Sequence, residues 1–90
     1  GVKMIRRIKN IQPLSNLQLR VCFDDGRVVL YAVAEDVRDI PSYAPLKELT
    51  GLFEQVKIDQ SRSCVYWNDE IDLPSDAIYE YGCELSPAAA

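Results

Sequence analysis

The 90-residue chain contains no histidine. That removes Ser–His and Cys–His nucleophilic pairs, a histidine general base and histidine-ligated zinc together. Cys22, Cys64 and Cys83 are odd in number and far apart, and no C-x-x-C pair occurs. The spacing fits reduced core thiols in a cytoplasmic protein better than a disulfide framework, a thioredoxin-like motif or a structural zinc. Glycine is scarce, at four residues, and builds neither G-x-G-x-x-G nor G-x-x-x-x-G-K, so both phosphate-cradling loops are missing. No apolar run approaches membrane-spanning length, and the N-terminus has no signal-peptide core. These gaps lead to an expectation of a non-enzymatic protein with no cofactor and no membrane contact.

What remains is ordinary globular material, 48% apolar and 27% charged. A chain of this size makes one domain and hides about 60–65% of the surface that its unfolded form exposes. The net charge of -4 conceals an asymmetry. Residues 1–27 carry six basic side chains against Asp24 and Asp25, whereas the rest carries four basic and twelve acidic groups. A surface of that sign repels phosphate backbones and favours a basic partner. Lys3, Arg6, Arg7 and Lys9 form the only basic concentration; without interleaved aromatics they read as a solvated strand face, and nucleic acid is not the expected partner.

The organising stretch is Leu17 to Val33. Leu17, Leu19, Val21 and Phe23 alternate with Gln18, Arg20 and Cys22, the period of a half-buried strand. Asp25-Gly26 suits a two-residue turn that sets Val21 opposite Leu30. A three-residue loop with a glycine bulge instead sets Val29 and Tyr31 on the facing positions. Arg27–Val33 is apolar on both faces and belongs inside the sheet.

Around this hairpin the pattern predicts a first strand over Met4–Ile11 with a bulge or frayed end, and a turn marked by Pro13 and Asn16. A helical turn follows over Ala34–Ile40, with Glu35 and Asp36 near its start. The main helix opens at Pro45 and carries Leu46, Leu49, Leu52 and Phe53, weakened by Gly51. Strands at Gln55–Asp59 and Ser63–Trp67 come next, then a turn at Asn68-Asp69-Glu70 and a short helix from Pro74-Ser75-Asp76 to Tyr79, with Gly82 past its end. The expected fold class is α+β: a two-layer domain with a mainly antiparallel five-stranded sheet (β-β-β-α-β-β), one main helix packed on it and a C-terminal helical turn. Residues 1–3 read as a vector-derived remnant, 4–82 as a single domain and 83–90 as a flexible tail.

One constellation stands out. Asp69, Glu70, Asp72 and Asp76 gather beside Trp67. Oxygen ligands at such spacing can hold Mg²⁺ or Ca²⁺, and paired carboxylates can do acid–base work. The run lacks the glycine and terminal glutamate of a calcium loop, however, and acidic residues commonly cap turns; Asp72 is placed to accept amides of the turn after it. Trp67, Asp69, Glu70, Asp72 and Asp76 are the candidate partner-binding residues, for a basic protein first and a small ligand or divalent metal second. Self-association through an open sheet edge is a third expectation.

Several landmarks in order are similar to a bacterial family known as domain of unknown function 2442. They are Val21-Cys22-Phe23-Asp24-Asp25-Gly26, the Pro45-Leu46 helix start, Phe53 with Val56, and Trp67 followed by Asp72-Leu73-Pro74-Ser75-Asp76 and Tyr79. The resemblance spans about residues 4–81; Ala32 departs from it, where the family pattern has an acidic residue. It implies a small sheet-plus-helix domain without an established activity. Members of the family are often taken for antitoxin-like partners of a small neighbouring protein, encoded nearby, and some are fused to a helix-turn-helix segment. No such segment follows Tyr81 here, so the resemblance does not imply DNA binding.

Overall fold

In a computed structural model, which describes residues 5–85, the alternating stretch becomes β2 (Gln18–Phe23) and pairs antiparallel with β3 (Val28–Ala32). Leu19, Val21 and Phe23 are buried while Gln18, Arg20 and Cys22 are half-buried, as the period requires. The register is that of the three-residue loop: Val21 faces Val29 and Leu19 faces Tyr31. The Phe23 amide donates to the Arg27 carbonyl at 2.9 Å, leaving Asp24-Asp25-Gly26 as the loop. A two-residue turn would force Asp25 as well as Gly26 to positive φ, whereas here only Gly26 takes it, at 92°. The Asp25 side chain is thereby free to accept the Arg27 amide at 2.9 Å.

β1 (Ile8–Leu14) runs antiparallel to β2 on the sheet edge. It starts four residues later than the apolar spacing predicts, and the expected bulge falls at Lys9, where the register slips between Ile8 and Asn10. Pro13 sits inside this strand rather than in the turn. An edge strand tolerates it, because the missing N–H would have faced outward. The chain reverses instead through Asn16 and Leu17, both left-handed at φ 62° and 56°.

The helical layer differs most from expectation. After α1 (Val33–Asp39), the segment opened by Pro45 forms only α2 (Pro45–Glu48). Leu49 is already extended, Gly51 is left-handed at φ 87°, and a separate 3-10 turn covers Phe53–Gln55. Splitting the helix lets Leu46 and Phe53 both enter the core while Leu49 stays 58% exposed. One continuous helix would have carried Leu49 inward with Leu46 and Phe53.

The strands form two sheets, not one of five: β1-β2-β3 with Cys83–Glu84 as the fourth strand (β7), and β4 (Lys57–Ile58), β5 (Cys64–Tyr66) and β6 (Asp72–Pro74) in that order. The two sheets meet where the Ile8 amide donates to the Arg62 carbonyl at 2.7 Å. The ladder does not continue past that point, because β4 is two residues long and β1 carries a bulge and a proline. After α3 (Ser75–Tyr81) the chain returns to the hairpin as β7 (Cys83–Glu84), pairing Cys83 with Leu30 and Glu84 with Val29. Cys83 and Glu84 are therefore ordered in a sheet, although the composition places them in a tail. Residues 1–3 and the Ser86–Ala90 end of that tail lie outside the described residues.

The core joins the inner face of the hairpin (Leu19, Val21, Phe23, Val29, Tyr31) to Val65 and Leu73 of the second sheet, Ile78 of α3, and Phe53 and Trp67. Burying each such side chain contributes about 1.5–3 kcal/mol. β3 lies between β2 and β7 as its two apolar faces demand, with Val28, Leu30 and Ala32 half-buried on the far side.

Candidate functional site

The acidic turn is built on a single asparagine. Asn68 follows β5 and its Oδ1 accepts the amides of Glu70 at 2.8 Å and Ile71 at 3.0 Å. This side-chain turn lets the chain reverse while the Trp67 amide donates to the Ile71 carbonyl at 2.9 Å. Asp69 and Glu70 stand at its tip, exposed and with no ion pair within 4.0 Å among the described residues. Asp72 is exposed on β6; its backbone carbonyl, not its carboxylate, receives the Tyr43 hydroxyl. Asp76 lies in the first turn of α3, half-buried.

Trp67 does not join that surface. It is 4% exposed, its indole lies 5.9 Å from the Phe53 ring at 24°, and Nε1 donates to the Phe53 carbonyl at 2.9 Å. The tryptophan anchors the base of the turn, so of the five candidate residues the acids alone face solvent. Nor do those acids converge. Among the described residues no three carboxylates or thiolates are grouped so as to hold a metal ion.

The Asp72 carboxylate accepts no amide among the described residues; an acid that does cap amides is Asp59, in the turn before β5. Its Oδ1 accepts the amides of Ser63 at 3.1 Å and Cys64 at 3.2 Å, and its Oδ2 accepts the Ser61 hydroxyl at 2.7 Å. The Ser61 bond, and then those amides, hold the Asp59 carboxyl below its ordinary value.

A second acidic feature has no counterpart in the linear pattern. Glu35, Asp36 and Asp39 of α1, the end of β3, Tyr81 and Cys83 enclose a groove of about 480 Å³. Tyr31 donates to Asp36 Oδ2 at 2.6 Å, and Arg38 pairs with Asp39 at 2.9 Å. Tyr81, 75% exposed, stands at the rim. The 35/39 spacing, one helical turn, is the only sequence signal for this groove. Tyr81 and Cys83 reach it through the β3–β7 pairing.

The arginines, by contrast, are engaged within the chain. Arg62 binds Asp24 at 2.9 Å, Arg27 binds Glu84 at 2.7 Å, and Arg6 approaches Asp25 at 3.9 Å. The guanidinium carbons of Arg6 and Arg27 lie 4.2 and 4.5 Å from the centroid of the Tyr79 ring. Arg7 donates to the Ser61 carbonyl at 2.8 Å. Burial above all pushes the Cys64 thiol up from its ordinary value. The arrangement can attract cations over a broad surface.

No helix among the described residues is long and apolar enough to cross a membrane. Comparison with curated proteins and with solved structures finds no match. The family model described as "Protein of unknown function (DUF2442)" matches residues 8–83, from the first residue of β1 to the first of β7, and the chain belongs to that family.

Proposed function

We propose that this chain is a non-enzymatic protein-interaction domain that docks a small basic protein, as the antitoxin-like half of a bacterial cytoplasmic pair. One observation carries the reading, the separation of charge. Arg6, Arg27 and Arg62 are taken up by Asp25, Glu84 and Asp24 at the hairpin end. Asp69 and Glu70 have no such counter-ion among the described residues, and Glu35 and Asp36 line a concave surface beside the exposed Tyr81. Unpaired surface carboxylates steer a cationic partner and set the salt dependence of its association. The divalent-metal reading draws less support, because the same carboxylates do not come together.

The test is co-purification with the products of adjacent genes, followed by titration of any basic product that binds. Charge reversal at Asp69 and Glu70, or at Glu35 and Asp36, should slow association and flatten its dependence on salt. If no neighbouring product binds, or if binding ignores both reversals, the reading fails. A thermal shift with Mg²⁺ or Ca²⁺ that Asp69→Asn and Asp72→Asn abolish would favour the metal-binding module instead.

A further inference from the structure

β7 is the thinnest part of its sheet. Its two residues, Cys83 and Glu84, are both exposed, and neither belongs to the buried core. It is held on β3 by the pairing of Cys83 with Leu30 and of Glu84 with Val29, and by the Leu85 amide on the Val28 carbonyl at 2.8 Å. A 2.7 Å ion pair between Arg27 and Glu84 clasps it from the side, with the two side chains 28% and 52% exposed. Arg27 keeps its Nε buried with no hydrogen-bond partner among the described residues, so the clasp carries a cost of its own. A strand fixed by exposed hydrogen bonds and no buried apolar side chain sits at the low end of local stability. Its seat on β3 is nonetheless defined: Gly82 leads into it so close to Val29 that a Cβ there would stand 3.0 Å from that side chain.

We propose that β7 is a two-state strap, clasped by Arg27 and Glu84, whose closure completes the wall of the acidic groove beside α1. Cys83 lines that groove together with Glu35, Asp36 and Asp39, whereas neither Arg27 nor Glu84 lines it. Closing the strap sets Cys83 against Leu30; releasing it withdraws Cys83 and bares the edge of β3. The two residues of the clasp thus govern a site that they do not touch. A ligand of the groove meets its full wall only in the closed state, and by linkage it holds the strap shut. The clasp lies near the surface, so salt weakens it. The rest of the hairpin takes no part in the opening. With Val28 accepting from Leu85, the alternation of an antiparallel ladder turns the Leu30 amide toward β7 and those of Val29 and Tyr31 toward β2. The device follows from the sheet alone and does not rest on the function proposed above.

Native-state hydrogen exchange of the whole chain, followed by NMR and corrected for intrinsic rates, tests this within a single strand. The amides of Leu30 and Leu85 should exchange through an opening that urea barely affects, about tenfold or more faster than that of Tyr31, whose exchange should follow global unfolding. Glu84→Gln should speed Leu30 by roughly two- to fivefold while leaving Tyr31 exchange and Trp67 emission as they are. Raising salt to about 1 M should speed Leu30 in the native chain and add nothing in Glu84→Gln. Leu30 exchange that follows global unfolding, as that of Tyr31 does, overturns the inference. So does a local opening that Glu84→Gln leaves unchanged, or one on which salt still acts after the carboxylate is gone.

Discussion

The hydroxyl of Tyr79 donates a 2.7 Å hydrogen bond to Asp25 Oδ2, which pins α3 to the loop of the central hairpin across 54 positions of sequence. Phe23 meets the same ring edge-on at 4.9 Å, and two guanidinium groups lie against it. One tyrosine thus ties together the hairpin, the C-terminal helix and the engaged basic residues.

Replacing Tyr79 separates these contacts. Tyr79→Phe removes only the hydroxyl bond, whereas Tyr79→Ala also removes the ring from Phe23, Arg6 and Arg27. The alanine variant should show the lower urea midpoint, and hydrogen exchange in the 24–26 loop should quicken in both. The Asp25 carboxyl is held below its ordinary value first by the Arg27 amide and second by Tyr79. In Tyr79→Phe its titration, followed by NMR, should move upward and still remain below the ordinary carboxylate range, because the amide stays.

Two glycines should fail for different reasons. A Cβ on Gly82 would stand 2.6 Å from the Ile78 carbonyl oxygen and 3.0 Å from Val29, although the backbone there, at φ -72°, suits any residue. Gly51 has open space around its Cβ position but a φ of 87°. Gly82→Ala should cost about 1–3 kcal/mol by overpacking α3 against β3, and Gly82→Asn at least as much. Gly51→Ala should cost about 1–2 kcal/mol through the left-handed backbone, and Gly51→Asn less, since asparagine tolerates that region. Urea denaturation of the four variants checks the contrast.

Gly51 also shows where sequence reading reached its limit. The spacing of Leu46, Leu49, Leu52 and Phe53 is satisfied by one helix, and equally by two short turns that bury the first and last of them. Only the left-handed Gly51 decides between these, and backbone sign is not written in hydrophobic period. The alternation from Leu17 to Phe23 was readable because period two is local and one face is buried. Its register was not, because it hung on whether Asp25 turned left-handed together with Gly26 or Gly26 did so alone. The acidic turn was found at the right place, and Asn68 as its builder was missed. The groove beside Tyr81 was invisible, since it exists only once Cys83 pairs with Leu30 from a segment that reads as tail.

Trp67 offers a direct check that it supports the acidic turn from beneath. Trp67→Phe keeps an aromatic against Phe53 but removes the Nε1–H that donates to the Phe53 carbonyl at 2.9 Å, leaving that oxygen only the longer 3.3 Å bond from the Val56 amide. Losing one buried hydrogen bond costs about 0.5–1.5 kcal/mol, so the urea midpoint should fall accordingly. If Trp67 were instead a surface contact, the variant would keep its stability and lose only partner binding. As the sole tryptophan, the native residue should also emit in the blue-shifted range of a buried indole and move to the red on unfolding.

The alkaline limit of stability should be set partly by Tyr31. Its ring is buried, and its hydroxyl donates to Asp36 Oδ2 at 2.6 Å. Burial first, and then the bond to Asp36, push the phenol well above its ordinary value near 10. The folded chain therefore keeps a proton that the unfolded chain releases. The contribution is complete below pH 10 and is lost as pH climbs from there toward the raised folded value. Tyr43 is pushed up the same way, mainly by burial, with its hydroxyl on the Asp72 carbonyl. Tyr31→Phe should cost about 1 kcal/mol at neutral pH for the lost bond and make the fall in stability above pH 10 shallower. Tyr31→Phe with Tyr43→Phe should make it shallower still. Urea titrations between pH 7 and pH 11 measure both effects; an alkaline slope unchanged in the double variant would mean that these phenols titrate alike in the folded and unfolded chain.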